Sequence, residues 1–255
     1  MSNEITIVTF LIVCPLVGLA GFVDAIGGGG GLISLPAYML AGVPAHNAIA
    51  TNKLSSACGT ALATGRFIKN GLVNFVLAIP AVISAIIGSY IGAHLSMLIE
   101  ERVLSIVLLV VLPIVAFVVL NKKIFKDNGS EKVELNRKTV ITTIISALVI
   151  GMYDGFYGPG TGTFLIIAFT IAANMGMKVA NAQAKVINLT TNITSLTVFL
   201  LNGQVMISLG LAAAVCNMIG GYIGAGLVMK NSSKIIRPIV ILVLIILAVN
   251  VIMRL

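Results

Sequence analysis

No Asp, Glu, Lys or Arg occurs from Val186 to Met229, or from Ala25 to Asn52. Water-soluble domains carry about 25% charged residues, whereas this chain of 255 residues is 9% charged and 58% hydrophobic. Uncharged apolar stretches of such length suit helices that cross a bilayer, each needing about 20 residues. A transmembrane β-barrel would require apolar–polar alternation in segments of about ten residues, and that alternation is missing. The chain therefore reads as an all-α polytopic membrane protein.

The net charge is +8, from 16 Lys+Arg against 8 Asp+Glu. Most of the excess falls in short connections between hydrophobic runs, where positive-inside determinants lie, and nothing has the form of a nucleic-acid module. Cys14, Cys58 and Cys216 all sit in apolar segments at spacings that suit neither a metal clip nor a disulfide framework. No metal or cofactor is expected. The amino-terminal stretch has no basic n-region and its apolar run leads into further membrane, so it reads as a first span rather than a cleaved signal.

Ten hydrophobic pieces follow one another: Ile5–Ile26, Leu32–Ala41, Ala45–Ile68, Leu72–Ile99 and Val103–Leu120, then Thr139–Tyr157, Gly162–Ala173, Val179–Leu201, Val205–Met229 and Ile235–Met253. The second and seventh are too short for a straight span. Residues 121–138 form a basic loop holding Lys122, Lys123, Lys126, Lys132, Arg137 and Lys138. The loop divides the chain into a first unit, 1–120, and a second, 139–255.

The two units repeat. A shift of 132 places Lys53 on Lys185, Asn70-Gly71 on Asn202-Gly203, and Gly88, Tyr90-Ile91-Gly92-Ala93 and Leu95 on Gly220, Tyr222-Ile223-Gly224-Ala225 and Leu227. Nearer the start of each unit the shift is 130, with Gly21 and Asp24 on Gly151 and Asp154, and Gly28 and Gly30 on Gly158 and Gly160. Charge then orients the units. Arg66 and Lys69 follow the third piece of the first unit, whereas the equivalent Asn202-Gly203-Gln204 is uncharged and Lys230, Lys234 and Arg237 follow the fourth piece of the second. By the positive-inside rule the units face opposite ways. The expectation is two homologous halves, as inverted repeats of five helical segments each, with the amino terminus outside and the 121–138 loop cytoplasmic. The rival is a 4+4 parallel arrangement with the short pieces re-entrant.

Inverted repeats with broken helices are a common transporter architecture, with the site where the halves meet. The breaks here are Gly27–Gly31 and Gly158-Pro159-Gly160-Thr161-Gly162. Glycine frees the backbone and proline removes a donor, so neither stretch continues a helix easily. The amides opening the next short helix would form a partly positive end suited to an anion. No Gly-Lys-Ser/Thr follows, so a nucleotide-hydrolysing loop is unsupported. Isolated glycines such as Gly88 and Gly92 read as close helix packing.

Four ionisable residues fall inside spans at symmetric places: Asp24 and Lys53, Asp154 and Lys185. A charge within the bilayer costs at least about 2.5–3.5 kcal/mol, which suggests pairing of Asp24 with Lys53 and of Asp154 with Lys185. Neutral polar neighbours are Asn47, Thr51, Asn52, Ser55 and Ser56 in one half, and Gln183, Asn188, Thr190, Thr191 and Asn192 in the other. Lysines with helix amino termini, hydroxyls and amides suit a small oxyanion; a cation site would need more carboxylates. Structural salt bridges, or lysines snorkelling to an interface, are the plainer readings. His46 reads as a loop residue near a cavity mouth, His94 as lacking a symmetric partner, and Arg66 as an orientation charge.

The segment from Gly21 through Asp24 and Gly27–Gly31 to Pro36, followed by Gly42-Val43-Pro44 and Ala50-Thr51-Asn52-Lys53, resembles the opening signature of the TauE/SafE sulfite exporter family. The second half carries a weaker copy, with Ala184-Lys185 in place of Asn52-Lys53 and Pro159 interrupting the glycines. The resemblance implies a prokaryotic plasma-membrane carrier for sulfite, organosulfonates and related anions. On this reading a secondary transporter moves a small sulfur oxyanion or sulfonate by alternating access. Lys53 and Lys185 would attract the anion, and the amides of Gly28, Gly29, Gly30, Gly31, Gly160 and Gly162 would hold its oxygens. Thr51, Asn52, Ser34, Thr161, Thr163 and Gln183 would add hydrogen bonds. Asp24 and Asp154 would orient the lysines or carry a coupled proton. A homo-oligomer is compatible with the sequence. The alternatives are a membrane-embedded aspartyl-type enzyme and a passive anion channel.

Overall fold

A computed structural model describes residues 6–100, 102–104, 106, 133 and 135–230. The expected tenth piece, all of the expected fifth but Val103, Leu104 and Ile106, and all of the 121–138 loop but Val133 and residues 135–138 lie outside the described residues. Those described are nearly all helical. The first half holds α1 (Ile7–Gly27), α2 (Gly31–Leu40), α3 (Ala45–Lys69) and α4 (Phe75–Leu98). The second holds α5 (Arg137–Phe156), α6 (Thr161–Ile171), α7 (Met177–Leu201) and α8 (Ile207–Lys230). The long–short–long–long order thus recurs, and α2 and α6 are the short, glycine-bounded segments expected.

Five of these helices, α1, α4, α5, α7 and α8, are long and apolar enough to cross a membrane. Their outward faces carry large apolar side chains such as Ile79, Ile83, Ile87, Val149, Leu211, Val215 and Ile219, as contact with lipid tails demands. Helix α3 has 25 residues, long enough to span, but it is the polar helix of its half and buries Thr51, Asn52, Lys53, Ser55, Thr60 and Thr64.

Local chemistry sets the helix ends. Gly28 adopts φ 78° and its amide closes on the Asp24 carbonyl, a left-handed cap that glycine takes without penalty. The Asn74 side chain accepts from the Val76 and Leu77 amides at the start of α4. Asn136 accepts from the Thr139 amide at 2.8 Å, so α5 begins at Arg137, two residues ahead of the expected Thr139.

Small residues bring the long helices together. A Cβ on Gly88 would collide with the Leu148 carbonyl, and one on Gly92 with the Met152 carbonyl, across the α4–α5 interface. Across α1–α8, Gly220 meets the Gly18 carbonyl and Gly224 the Phe22 carbonyl in the same manner. Shifting Gly18 and Phe22 by 130 gives Leu148 and Met152, so the two interfaces are copies.

These contacts also give the helix directions. Ascending residues of α1 meet ascending residues of α8. Along α3, Thr51 lies by Gly210, Gly59 by Gly221, and Arg66 reaches the Tyr222 carbonyl, so α3 runs with α8 as well. Helix α4 runs with α5, as the paired glycines show, and with α7, because Gln183 bonds the Asn74 carbonyl and Ser89 bonds the Thr191 carbonyl. Helix α3 runs against α7: Thr64 bonds the Lys185 carbonyl, and Asn47 reaches the Gln204 carbonyl just beyond the end of α7. Helices α1, α3 and α8 therefore point one way and α4, α5 and α7 the other.

Candidate functional site

The four intramembrane charges form two ion pairs, each joining one half to the other. Lys53 Nζ lies 3.0 Å from Asp154 Oδ2 and donates to the Asp154 main-chain carbonyl at 2.6 Å. Lys185 Nζ donates to Asp24 Oδ2 at 2.6 Å. The expected pairing of Asp24 with Lys53 and Asp154 with Lys185 is therefore incorrect: each lysine crosses to the aspartate of the opposite half. The helix directions supply the reason. With α1 and α3 running the same way, Asp24 comes near the far end of α1 and Lys53 near the beginning of α3. Helix α5 runs back, and Asp154 near its end packs against Lys53.

The pairs differ in surroundings. At the first, the side chains of Lys53 and Asp154 are 2% and 3% exposed. The Thr161 hydroxyl lies 2.8 Å from both Asp154 Oδ1 and the Gly158 carbonyl; having one proton, it serves one acceptor at a time. Gly158, at φ 102°, lies over this pair, and a Cβ there would come within 2.8 Å of Asp154 Oδ1 and 3.0 Å of Lys53 Nζ. At the second, Lys185 is fully enclosed and the Asp24 side chain is 18% exposed. The Gly30 amide approaches Asp24 Oδ1 at 3.3 Å.

The two glycine breaks touch one another. A Cβ on Gly28 would collide with the backbone of Gly162 and Thr163, and one on Gly31 would lie 3.0 Å from Pro159 Cα. Beside this crossing is a polar cavity of about 20 Å³, lined by Asp24, Gly28, Gly31, Asn52, Lys53, Ser56, Asp154, Gly158, Thr161, Gly162, Asn188 and Asn192. Both halves contribute to it. That volume holds about one water.

Of the residues expected to bind substrate, Lys53, Asn52, Gly28, Gly31, Thr161 and Gly162 line the cavity, together with Asp24 and Asp154. The others have structural partners nearby. Thr51 accepts from the Met206 amide and Gln183 donates to the Asn74 carbonyl, two tethers that correspond to one another under the shift of 132. Ser34 bonds the Gly30 carbonyl and Thr163 the Gly27 carbonyl. Gly160 caps α6 at φ 82°, Gly30 caps α2, and Gly29 lies in the break between them and α1. Lys185 meets the site through Asp24. Ser56, Asn188, Asn192 and Gly158 also line the cavity. Their signal was present, because Asn188 and Asn192 are one turn apart on α7, as Asn52 and Ser56 are on α3, but nothing in the sequence separates these from the other polar positions of those helices.

Two ammoniums and two carboxylates leave this cluster neutral overall, and their pairing removes most of the penalty of burying each one alone. Among the described residues no group of three or more His, Cys, Asp or Glu could hold a metal ion. His46 bonds the Ser96 carbonyl and His94 the Tyr90 carbonyl near the end of α4, away from the cavity. Arg66 stacks over the Tyr222 ring at 4.3 Å while donating to the Tyr222 carbonyl.

The chain matches the family described as Sulfite exporter TauE/SafE over residues 13–251. It is 32% identical to a probable membrane transporter protein of Sinorhizobium sp., over 96% of this chain and 92% of that one. It is 34% identical to the probable membrane transporter protein YfcA of Escherichia coli K12, over 88% and 82%. A probable membrane transporter protein of Haemophilus influenzae is 31% identical over 88% and 87%. No solved structure gives a significant match. Multiple membrane-crossing helices, paired charges at the junction of two repeated halves and this sequence likeness converge: the chain belongs to the TauE/SafE sulfite exporter family of membrane transporters.

Proposed function

We propose that the protein is a secondary transporter, not an enzyme, that moves a small sulfur-containing anion such as sulfite or an organosulfonate by alternating access. The observation that carries the reading is the cross-half pairing of Lys53 with Asp154 at the cavity between the glycine breaks. Lys53 is the ammonium that lines this cavity, and Asn52, Ser56, Thr161, Asn188 and Asn192 surround it with amide and hydroxyl groups. Charge-assisted and neutral donors of this kind suit oxyanion oxygens. The cavity holds about one water, less than sulfite needs, so the halves must part to admit the anion. Ion pairs between the halves make and break as they part, and the neutral cluster can close without the anion.

The opposed directions of α1 and α5, α3 and α7, and α4 and α8 support the inverted-repeat reading, which gives two equivalent openings to opposite sides. In this arrangement the amino terminus is outside and the 121–138 loop cytoplasmic, in the plasma membrane of a prokaryotic cell. The aspartyl-enzyme alternative needs two carboxylates sharing a proton; here each aspartate is engaged by a lysine of the opposite half.

The test is sulfite flux into liposomes holding the purified full-length chain. Saturable flux that falls to background in Lys53→Ala is the expected result. Flux indifferent to that substitution would remove Lys53 from the site, and flux linear in concentration would favour a channel.

A further inference from the structure

We propose that Asp154 is the proton-carrying group of this transporter, and that one proton accompanies each monovalent anion, a sulfonate or hydrogen sulfite, so that transport is electroneutral. The inference rests on the anion-transport reading above. The argument begins with the charges facing the cavity from each element around it: Asp24 on α1, Lys53 on α3, Asp154 on α5, and Lys185 on α7 behind Asp24. The other titratable groups beside Asp154 are Tyr153, whose hydroxyl donates to the Pro159 carbonyl, and buried Tyr157. The four charges sum to zero. An anion entering this neutral, membrane-embedded cluster would add an uncompensated charge in a medium where such charges are costly.

The geometry identifies where compensation arises. The single positive charge of Lys53 neutralises an anion only by ceasing to neutralise Asp154, whose Oδ2 lies 3.0 Å away. The Asp154 side chain is 3% exposed, and the Thr161 hydroxyl then remains as its side-chain donor. A buried carboxylate that loses its cation favours the neutral, protonated form. The exchange balances. The Lys53–Asp154 pair is replaced by a Lys53–anion pair, a proton from the entry side bonds to Asp154 Oδ2, and the total charge stays zero. On the far side the anion leaves, the proton leaves Asp154, and the ion pair re-forms. Anion and proton cross in the same direction. Asp24 is a poorer candidate, because its lysine is fully enclosed and does not line the cavity.

The experiment uses the full-length chain in liposomes, with sulfite as the probe and protein-free vesicles as background. An inside-alkaline gradient is expected to drive sulfite uptake, and clamping the membrane potential to leave that uptake unchanged. Under a gradient of one pH unit, which limits one-to-one accumulation to about tenfold, Asp154→Asn is expected to bring accumulation back near unity and to flatten the pH dependence of sulfite exchange. Asp154→Glu is expected to restore a pH dependence displaced along the pH axis. Wild-type flux that ignores the pH gradient, or follows the potential, overturns the coupling while leaving anion transport standing. Gradient-driven accumulation undiminished in Asp154→Asn overturns the assignment of the proton to this residue. If that variant does not fold, an Asp154→Glu profile coincident with wild type overturns the assignment equally. Absence of sulfite flux in the wild type overturns the transport reading and this inference with it.

Discussion

The two ion pairs stand at equivalent positions of the repeat, yet one presents both its lysine and its aspartate to the cavity and the other only its aspartate. At one, Lys53 lines the space, with Asp154 beside it held by Thr161. At the other, Lys185 is sealed away and Asp24 faces the space. Duplication gives both halves the same charged residues, while unequal neighbours give them unequal work. On the proposed reading an anion would meet a lysine from the first half, and Lys185 would act as a positioning residue that neutralises Asp24. Sequence differences accompany the division: Asn52 beside Lys53 becomes Ala184 beside Lys185, and Gly31 becomes Thr161.

The largest effect should come from Lys53→Ala. It leaves Asp154 buried without its cation, at a cost of about 3–5 kcal/mol. Sulfite flux should fall to background, and thermal unfolding in detergent should shift strongly downward. Lys185→Ala sharpens the comparison. Because Asp24 is partly open, the loss of stability should be smaller, about 1–3 kcal/mol, and Asp24→Asn in the same chain should recover part of it. Equal unfolding shifts for the two lysine variants would break the asymmetry.

Thr161→Val removes the hydroxyl between Asp154 and the Gly158 carbonyl while keeping the shape. A loss of about 1–3 kcal/mol is expected, read as roughly a fivefold or greater drop in sulfite flux at limiting concentration. Ser34→Ala is the matched control in the first half. The Gly30 carbonyl that it abandons still accepts from the Ile33 and Ser34 amides, so flux should stay within about twofold, or about 0.5 kcal/mol.

The smallest effect belongs to Arg66→Ala. This arginine stacks on Tyr222 at the margin of the bundle, and its counterpart 132 residues on is the apolar Val198. The loss should be about 0.5–1 kcal/mol, visible as a small unfolding shift with flux little changed.

Much of this organisation was legible in the chain. Glycine runs break helices whatever their surroundings, so the short helices α2 and α6 and their boundaries followed from local backbone chemistry. Gly88 and Gly92 were readable as packing positions because a helix face without side chains admits a neighbouring backbone. The choice among polar residues was harder. Thr51, Asn52, Ser55 and Ser56 lie within two turns of α3, and their identities do not say which neighbour each will meet. The structure sends Thr51 to the Met206 amide, Ser55 to Tyr38 and the Asn52 carbonyl, and leaves Asn52 and Ser56 on the cavity.

By itself the sequence determined that the chain belongs in a membrane, where its helices break, that its halves repeat, and which four charges are enclosed. Each of these follows from local composition, spacing or self-similarity. Only the tertiary structure decided which lysine meets which aspartate, and hence which three of the four charges line the cavity. A repeat can state that Lys53 and Lys185 are equivalent, but the direction and packing of the helices opposite them fix their partners. Because α5 runs against α1, the partner of Lys53 lies 101 residues away, in the other half.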